Sequence, residues 1–127
     1  MSYTIKNLKE VKDSAPQFDI GHALEARFAS EPLDSSDTGV TLMVVKPGER
    51  IPFGHRHNKA EEVYVVVSGS GRFKLDDEFV EVSKFDAVRI APAVARGTEA
   101  GPDGLEYIAV GPRHEGDGEM IQDFWDQ

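Results

Sequence analysis

Two of the chain's four histidines stand in His55-Arg56-His57, and Glu62 follows five residues after the second. In an extended segment residues i and i+2 face the same way, with Cα atoms about 6.5–7 Å apart, so both imidazoles can reach one point. Phe53 falls on that same face. A carboxylate at the head of the next segment completes two nitrogens and one oxygen. That donor set suits Zn, Mn, Fe or Ni and leaves positions open for water or substrate. A His-x-His pair alone says little. Followed by a glutamate and then by the β-branched run Val63-Tyr64-Val65-Val66-Val67-Ser68-Gly69, it is considerably more specific. Tyr64 and Val66 share the face of Glu62 in a regular strand. Tyr64 there either brings a phenol near the ion or packs in the core with its hydroxyl satisfied. His114, in the glycine-rich stretch 111–118, reads as an exposed loop residue, and His22 as a packed or surface one.

The elements that must position these groups read as short strands. Residues 22–29 and 38–46 are the first two, the second closed by Pro47-Gly48. Val63 to Val67 is followed by a turn at Ser68-Gly69-Ser70-Gly71. Arg72-Phe73-Lys74-Leu75 alternates polar and apolar, Asp76-Asp77 makes a tight turn, and Phe79-Val80-Glu81-Val82 runs back. Residues 87–91, 94–98 and 105–110 continue the series, with Gly101-Pro102-Asp103-Gly104 as a turn between the last two. Such a meander is the signature of an all-β sandwich or barrel. The first fifteen residues suit a strand or a short helix. Residues 119–125 suit one or two helical turns, with Met120, Ile121, Phe124 and Trp125 capping the barrel and Trp125 as a terminal plug.

A chain of 127 residues is one domain's worth: a barrel core over about 22–110, an N-terminal arm 1–21 and a C-terminal segment 111–127. Asp and Glu number 23 against 14 Lys and Arg, giving a net charge of −9. An acidic surface argues against nucleic acid as a partner and against a polybasic membrane anchor. With no cysteine, disulfide scaffolds, thiolate metal sites and cysteine nucleophiles drop out. No apolar run approaches the roughly 18–20 residues of a membrane span, and the first ten residues lack a signal peptide's apolar core. The expected address is cytoplasmic.

The spacing Gly48-(six)-His55-x-His57-(four)-Glu62-(six)-Gly69 resembles the first motif of the cupins, with one extra residue between Gly48 and His55. The resemblance covers roughly residues 38–110 and points to the small single-domain cupins (type-2, conserved β-barrel). It implies a double-stranded β-helix, or jelly-roll barrel, with its site inside and His55, His57 and Glu62 as metal ligands. It also implies a homodimer formed through sheet edges and the N-terminal strand. The family's second motif matches residues 85–100 in degraded form. Arg96 stands where the family places a fourth ligand, a histidine.

Arginine has no lone pair to give and stays protonated. Beside a divalent ion at about 5 Å and an effective dielectric near 20, it costs roughly 3 kcal/mol per unit of charge. Two arrangements remain open. Arg96 turns away and leaves a three-ligand metal, or it turns in and pairs with Glu62, giving a pocket suited to a carboxylate or phosphate. The first suits a metal-dependent enzyme of dioxygenase or isomerase type, with Tyr64 and Arg96 as catalytic candidates. The second suits a metal-free binding or sensor protein for an anionic small molecule. In either, Arg96, Tyr64 and Phe53 are the candidates for contact with substrate.

Overall fold

The structure is a computed structural model describing residues 2–126. Eight strands run in chain order: β1 (Leu24–Phe28), β2 (Thr38–Val45), β3 (Gly54–His57), β4 (Glu62–Leu75), β5 (Glu78–Ser83), β6 (Ala87–Ile90), β7 (Arg96–Pro112) and β8 (Gly118–Ile121). All pairings are antiparallel. No α-helix occurs among the described residues, and none of their helices is long and apolar enough to cross a membrane.

The two longest strands each serve two layers. The C-terminal half of β7 lies between β2 and the N-terminal half of β4, giving one layer ordered β1-β2-β7-β4-β6. The N-terminal end of β7 lies between β3 and the C-terminal half of β4, giving a second layer ordered β8-β3-β7-β4-β5. The sheet therefore curls over on itself, and the apolar side chains between the layers are the core. Tyr64 (β4), Phe73 (β4) and Tyr107 (β7) form its centre, with ring centroids 4.9–5.7 Å apart. Such aromatic pairs add a little to the larger gain from burial.

Three expectations need correction. Ser68-Gly69-Ser70-Gly71 does not turn the chain back. It is an irregularity at which β4 bends and continues, with register shifts on both sides of Ser68–Gly69. Gly101–Gly104 is likewise no strand end: these four residues of β7 stand opposite Ser70 alone, between the pairs Gly69–Leu105 and Gly71–Ala100. Extra residues in one strand bend it and sharpen its twist, which carries both strands from one layer to the other. The turn-forming composition is real, but the ladder on either side holds the chain extended.

The C-terminal segment is the third. Residues 118–121 are a strand on the edge of β3, not a helix, and only a single 3₁₀ turn (Phe124–Asp126) follows. Phe124, 2% exposed, is the plug, while Met120 is exposed. Trp125 is half-buried and donates its indole N–H to the Ile51 carbonyl at 2.7 Å. Gly54 of β3 makes room for the plug, since a Cβ there would meet the Phe124 ring at 2.5 Å. At the other end, residues 8–10 and 15–18 form 3₁₀ turns, and β1 begins two residues later than expected, leaving His22 exposed in a turn.

The bend depends most on Gly69. Its φ is +75°, and a Cβ would lie 2.0 Å from the Gly104 carbonyl oxygen. Gly69→Ala is expected to destabilise the fold by about 3 kcal/mol, as strain and backbone overlap combine. Urea unfolding measures it, and an unchanged midpoint would refute this role.

Candidate metal centre

Strand β3 is only four residues long, and its alternation sets His55 and His57 on one side, as their spacing predicts. Their rings meet edge to face, 5.2 Å between centroids. After four intervening residues β4 opens at Glu62. Donor atoms of His55, His57 and Glu62 all lie within 4.8 Å of one another. Across the ladder from His55 stands Arg96, the first residue of β7.

The contacts converge on one atom, Glu62 Oε1. Arg96 Nη1 donates to it at 3.0 Å, His57 Nε2 is 3.1 Å away, Tyr64 Oη donates at 3.4 Å, and His55 Nε2 lies at 3.9 Å. Arg96 thus faces inward. Its guanidinium is 1% exposed and donates a second bond, from Nη2 to the Ala91 carbonyl at 2.9 Å. Burial works to raise the Glu62 carboxyl. Its contact with His55 and the charges of His57, His55 and Arg96 outweigh this and hold it below the usual carboxylate range. Burial pushes the Tyr64 phenol well above its ordinary value, aided by Tyr107 and by Glu62, so the hydroxyl stays protonated as a donor. Tyr64 is 3% exposed and acts here on Glu62. Phe53 precedes β3 and packs on the core.

The two nitrogens of His57 decide whether a metal suits the site. Nε2 faces Glu62 and Nδ1 lies 3.3 Å from Asp117 Oδ2. Both are buried, and neither makes an aligned hydrogen bond. A neutral imidazole carries one N–H, so one side of the ring turns a lone pair toward a carboxylate. A cation at Nε2 removes that repulsion, and two imidazole nitrogens with a carboxylate oxygen are donors a divalent transition metal accepts. The residues fit such an ion. Arg96 competes for the same glutamate oxygen.

Asp117 was not legible in the sequence. It lies between glycines in the stretch 111–118, whose composition reads as a loop, with no pattern to mark it. In the structure it is buried, and its carboxylate accepts from the backbone N–H groups of Asn58, Lys59 and Ala60 at 2.8–3.1 Å. Burial works to raise its pKa, but these three donors and His57 bring it below the ordinary value. A cleft of about 680 Å³ opens beside the site. Its lining includes His57, Glu62 and Asp117 together with Arg113, His114 and Glu115. His114 therefore borders the cleft, outside the His55–His57–Glu62 group.

The fold and this histidine–glutamate group define a class. Residues 41–111 match the cupin domain family, and the chain belongs to the cupins. It is similar in fold to the polyketide cyclase RemF from Streptomyces resistomycificus, with a TM-score of 0.75 and 20% identity over 94% of this chain and 84% of that one. A conserved Klebsiella pneumoniae protein with a double-stranded β-helix domain aligns with a TM-score of 0.74 and 18% identity, covering 92% and 96%. A Bacteroides fragilis cupin aligns at 0.73 with 21% identity, covering 91% and 88%. At these identities the likeness establishes the double-stranded β-helix and nothing finer. No curated protein matches the sequence.

The Arg96–Glu62 pair gives a direct test. In protein stripped of metal by a chelator, Glu62→Gln leaves a buried guanidinium without its counter-charge. That should cost about 3 kcal/mol in chemical unfolding. Glu62→Gln with Arg96→Met, which removes both charges, should recover a large part. No loss in the single variant would mean that the pair is not coupled.

Proposed function

We propose that the protein is a metal-dependent cupin, holding one divalent transition metal through His55, His57 and Glu62 and binding a small, oxygen-bearing anion from the adjoining cleft. The observation that carries this is His57, with both buried ring nitrogens turned to carboxylates. When bound, such an ion supplies Lewis-acid polarisation or, if redox-active, oxygen chemistry, in keeping with an isomerase or dioxygenase.

The chain's own residues do the rest. Arg96 offsets the Glu62 charge from the side away from solvent, so a ligand entering the cleft meets a less anionic site. Tyr64 and Arg96 both donate to Glu62 and fix its carboxylate. Fixed donors cost no reorganisation when charge develops on a ligand. The barrel wall behind them, built on Tyr64, Phe73 and Tyr107, keeps water from that side.

A second reading rests on the 3.0 Å contact between Arg96 and Glu62, which can itself stand in for an ion. The protein is then a metal-free binder or sensor of an anionic small molecule. Elemental mass spectrometry of untagged protein, prepared without added metal, separates the two. Near-stoichiometric metal that disappears in His57→Ala is expected. Protein that is empty and also refuses Zn, Mn, Fe and Ni would overturn the metal reading. Thermal shifts with small acids, lost in Arg96→Ala, would then support the second.

We place the protein in the cytoplasm, in keeping with a chain free of cysteine. We also propose that it pairs as a homodimer through a sheet edge. Among the described residues no strand precedes β1, so the N-terminal arm brings none of its own to this role. Strand β5 pairs with β4 alone, and Phe79, Val80 and Phe85 are exposed on or beside it. An open edge with apolar side chains is a liability that pairing removes. Light scattering should give twice the mass of a 14.0 kDa chain, and a monomer would reject the pairing.

A further inference from the structure

The turn between the two halves of the metal centre is wrapped around a carboxylate from elsewhere in the chain. Asn58, Lys59 and Ala60 connect His57 on β3 to Glu62 on β4, and their three successive N–H groups all donate to Asp117. Asn58 also donates to the Asp117 carbonyl, at 3.1 Å. Oδ1 takes Asn58 and Lys59. Oδ2 takes Ala60 and, with its remaining capacity, faces His57 Nδ1 at 3.3 Å. Asp117 is 6% exposed, and its carboxylate touches neither Glu62 nor His55 among the contacts described above.

We infer that Asp117 is a positioning residue for His57: it holds the ring with the proton on Nδ1, so that the Nε2 lone pair is directed at the metal position, and it fixes the span from His57 to Glu62. This deepens the metal-centre reading and rests on it. Both ring nitrogens face carboxylates, and a neutral imidazole has one proton; with a cation offsetting Glu62 on the Nε2 side, the proton belongs on Nδ1, where the Asp117 carboxylate can only accept. Fixing the tautomer from the far side of a ligating imidazole raises its basicity toward the metal. The N–H groups of the turn hold the carboxylate in place, so ring orientation and turn shape are set by one group.

Asp117→Asn tests this sharply. Its oxygen can still serve Asn58 and Lys59, but its amide then donates to His57 Nδ1, which must give up its proton to Nε2. Zn(II) affinity, measured by competition with a chromophoric chelator, should fall about 10–100-fold. Imidazole nitrogen NMR in the absence of metal should show Nδ1 protonated in the wild type and the proton shifted to Nε2 in the variant. A purely structural part in the turn would lower the melting temperature and leave the tautomer alone; that result overturns the inference. So does unchanged zinc affinity in a folded variant. If Asp117→Asn does not fold, the wild-type spectrum decides, since an unprotonated Nδ1 overturns the inference by itself. Failure of the wild type to bind Zn(II) would instead count against the metal centre, and the two failures are read separately.

Discussion

Arg96 carries a permanent charge into a place with almost no exposed surface, and much of the centre follows from how that charge is met. A buried guanidinium is costly unless its charge is balanced and most of its N–H groups are bonded; here Nη1 and Nη2 find acceptors and Nε makes no aligned hydrogen bond. Glu62 supplies the balance and the Ala91 carbonyl a further acceptor. Because Arg96 stands across the ladder from His55, the counter-charge is drawn to the histidine pair. Glu62 Oε1 becomes the point where β3, β4 and β7 meet.

Around that atom the charges are arranged in series. Asp117 stands behind His57, His57 before Glu62, and Glu62 before Arg96: negative, switchable, negative, positive. His57 is the one member that offers a nitrogen lone pair to a proton or a metal. The neighbours leave it little choice of orientation. Whatever cation occupies the face of Nε2, the ring that receives it is already turned toward it.

Most of this was open to sequence reading, and the failures have physical reasons. His55, His57 and Glu62 were legible because alternation in a short strand is rigid geometry, and the structure brings them together. The strands themselves were legible from β-branched runs. The bends were not. Ser68–Gly71 and Gly101–Gly104 have the composition of turns, and only the long pairing of β4 with β7 makes them bulges. The C-terminal strand was misread because Glu119 to Trp125 has apolar residues at helical spacing, whereas the edge of β3 offers unpaired backbone groups that a strand satisfies and a helix does not. Asp117 was invisible because its importance lies in donors 57 to 59 residues earlier in the chain.

The last point bears on how the site comes into being. Arg96 meets Glu62 across 34 residues, and Asp117 meets Ala60 across 57. Contacts of such long range form only after the chain has lost the entropy of closing large loops, and β-rich domains built on them fold on the order of milliseconds to seconds. The segment from His57 to Glu62 has no local means of holding its own shape before then. The site is thus assembled by the same event that closes the barrel, and a nascent chain exposes two histidines and a glutamate that have not yet acquired any common direction.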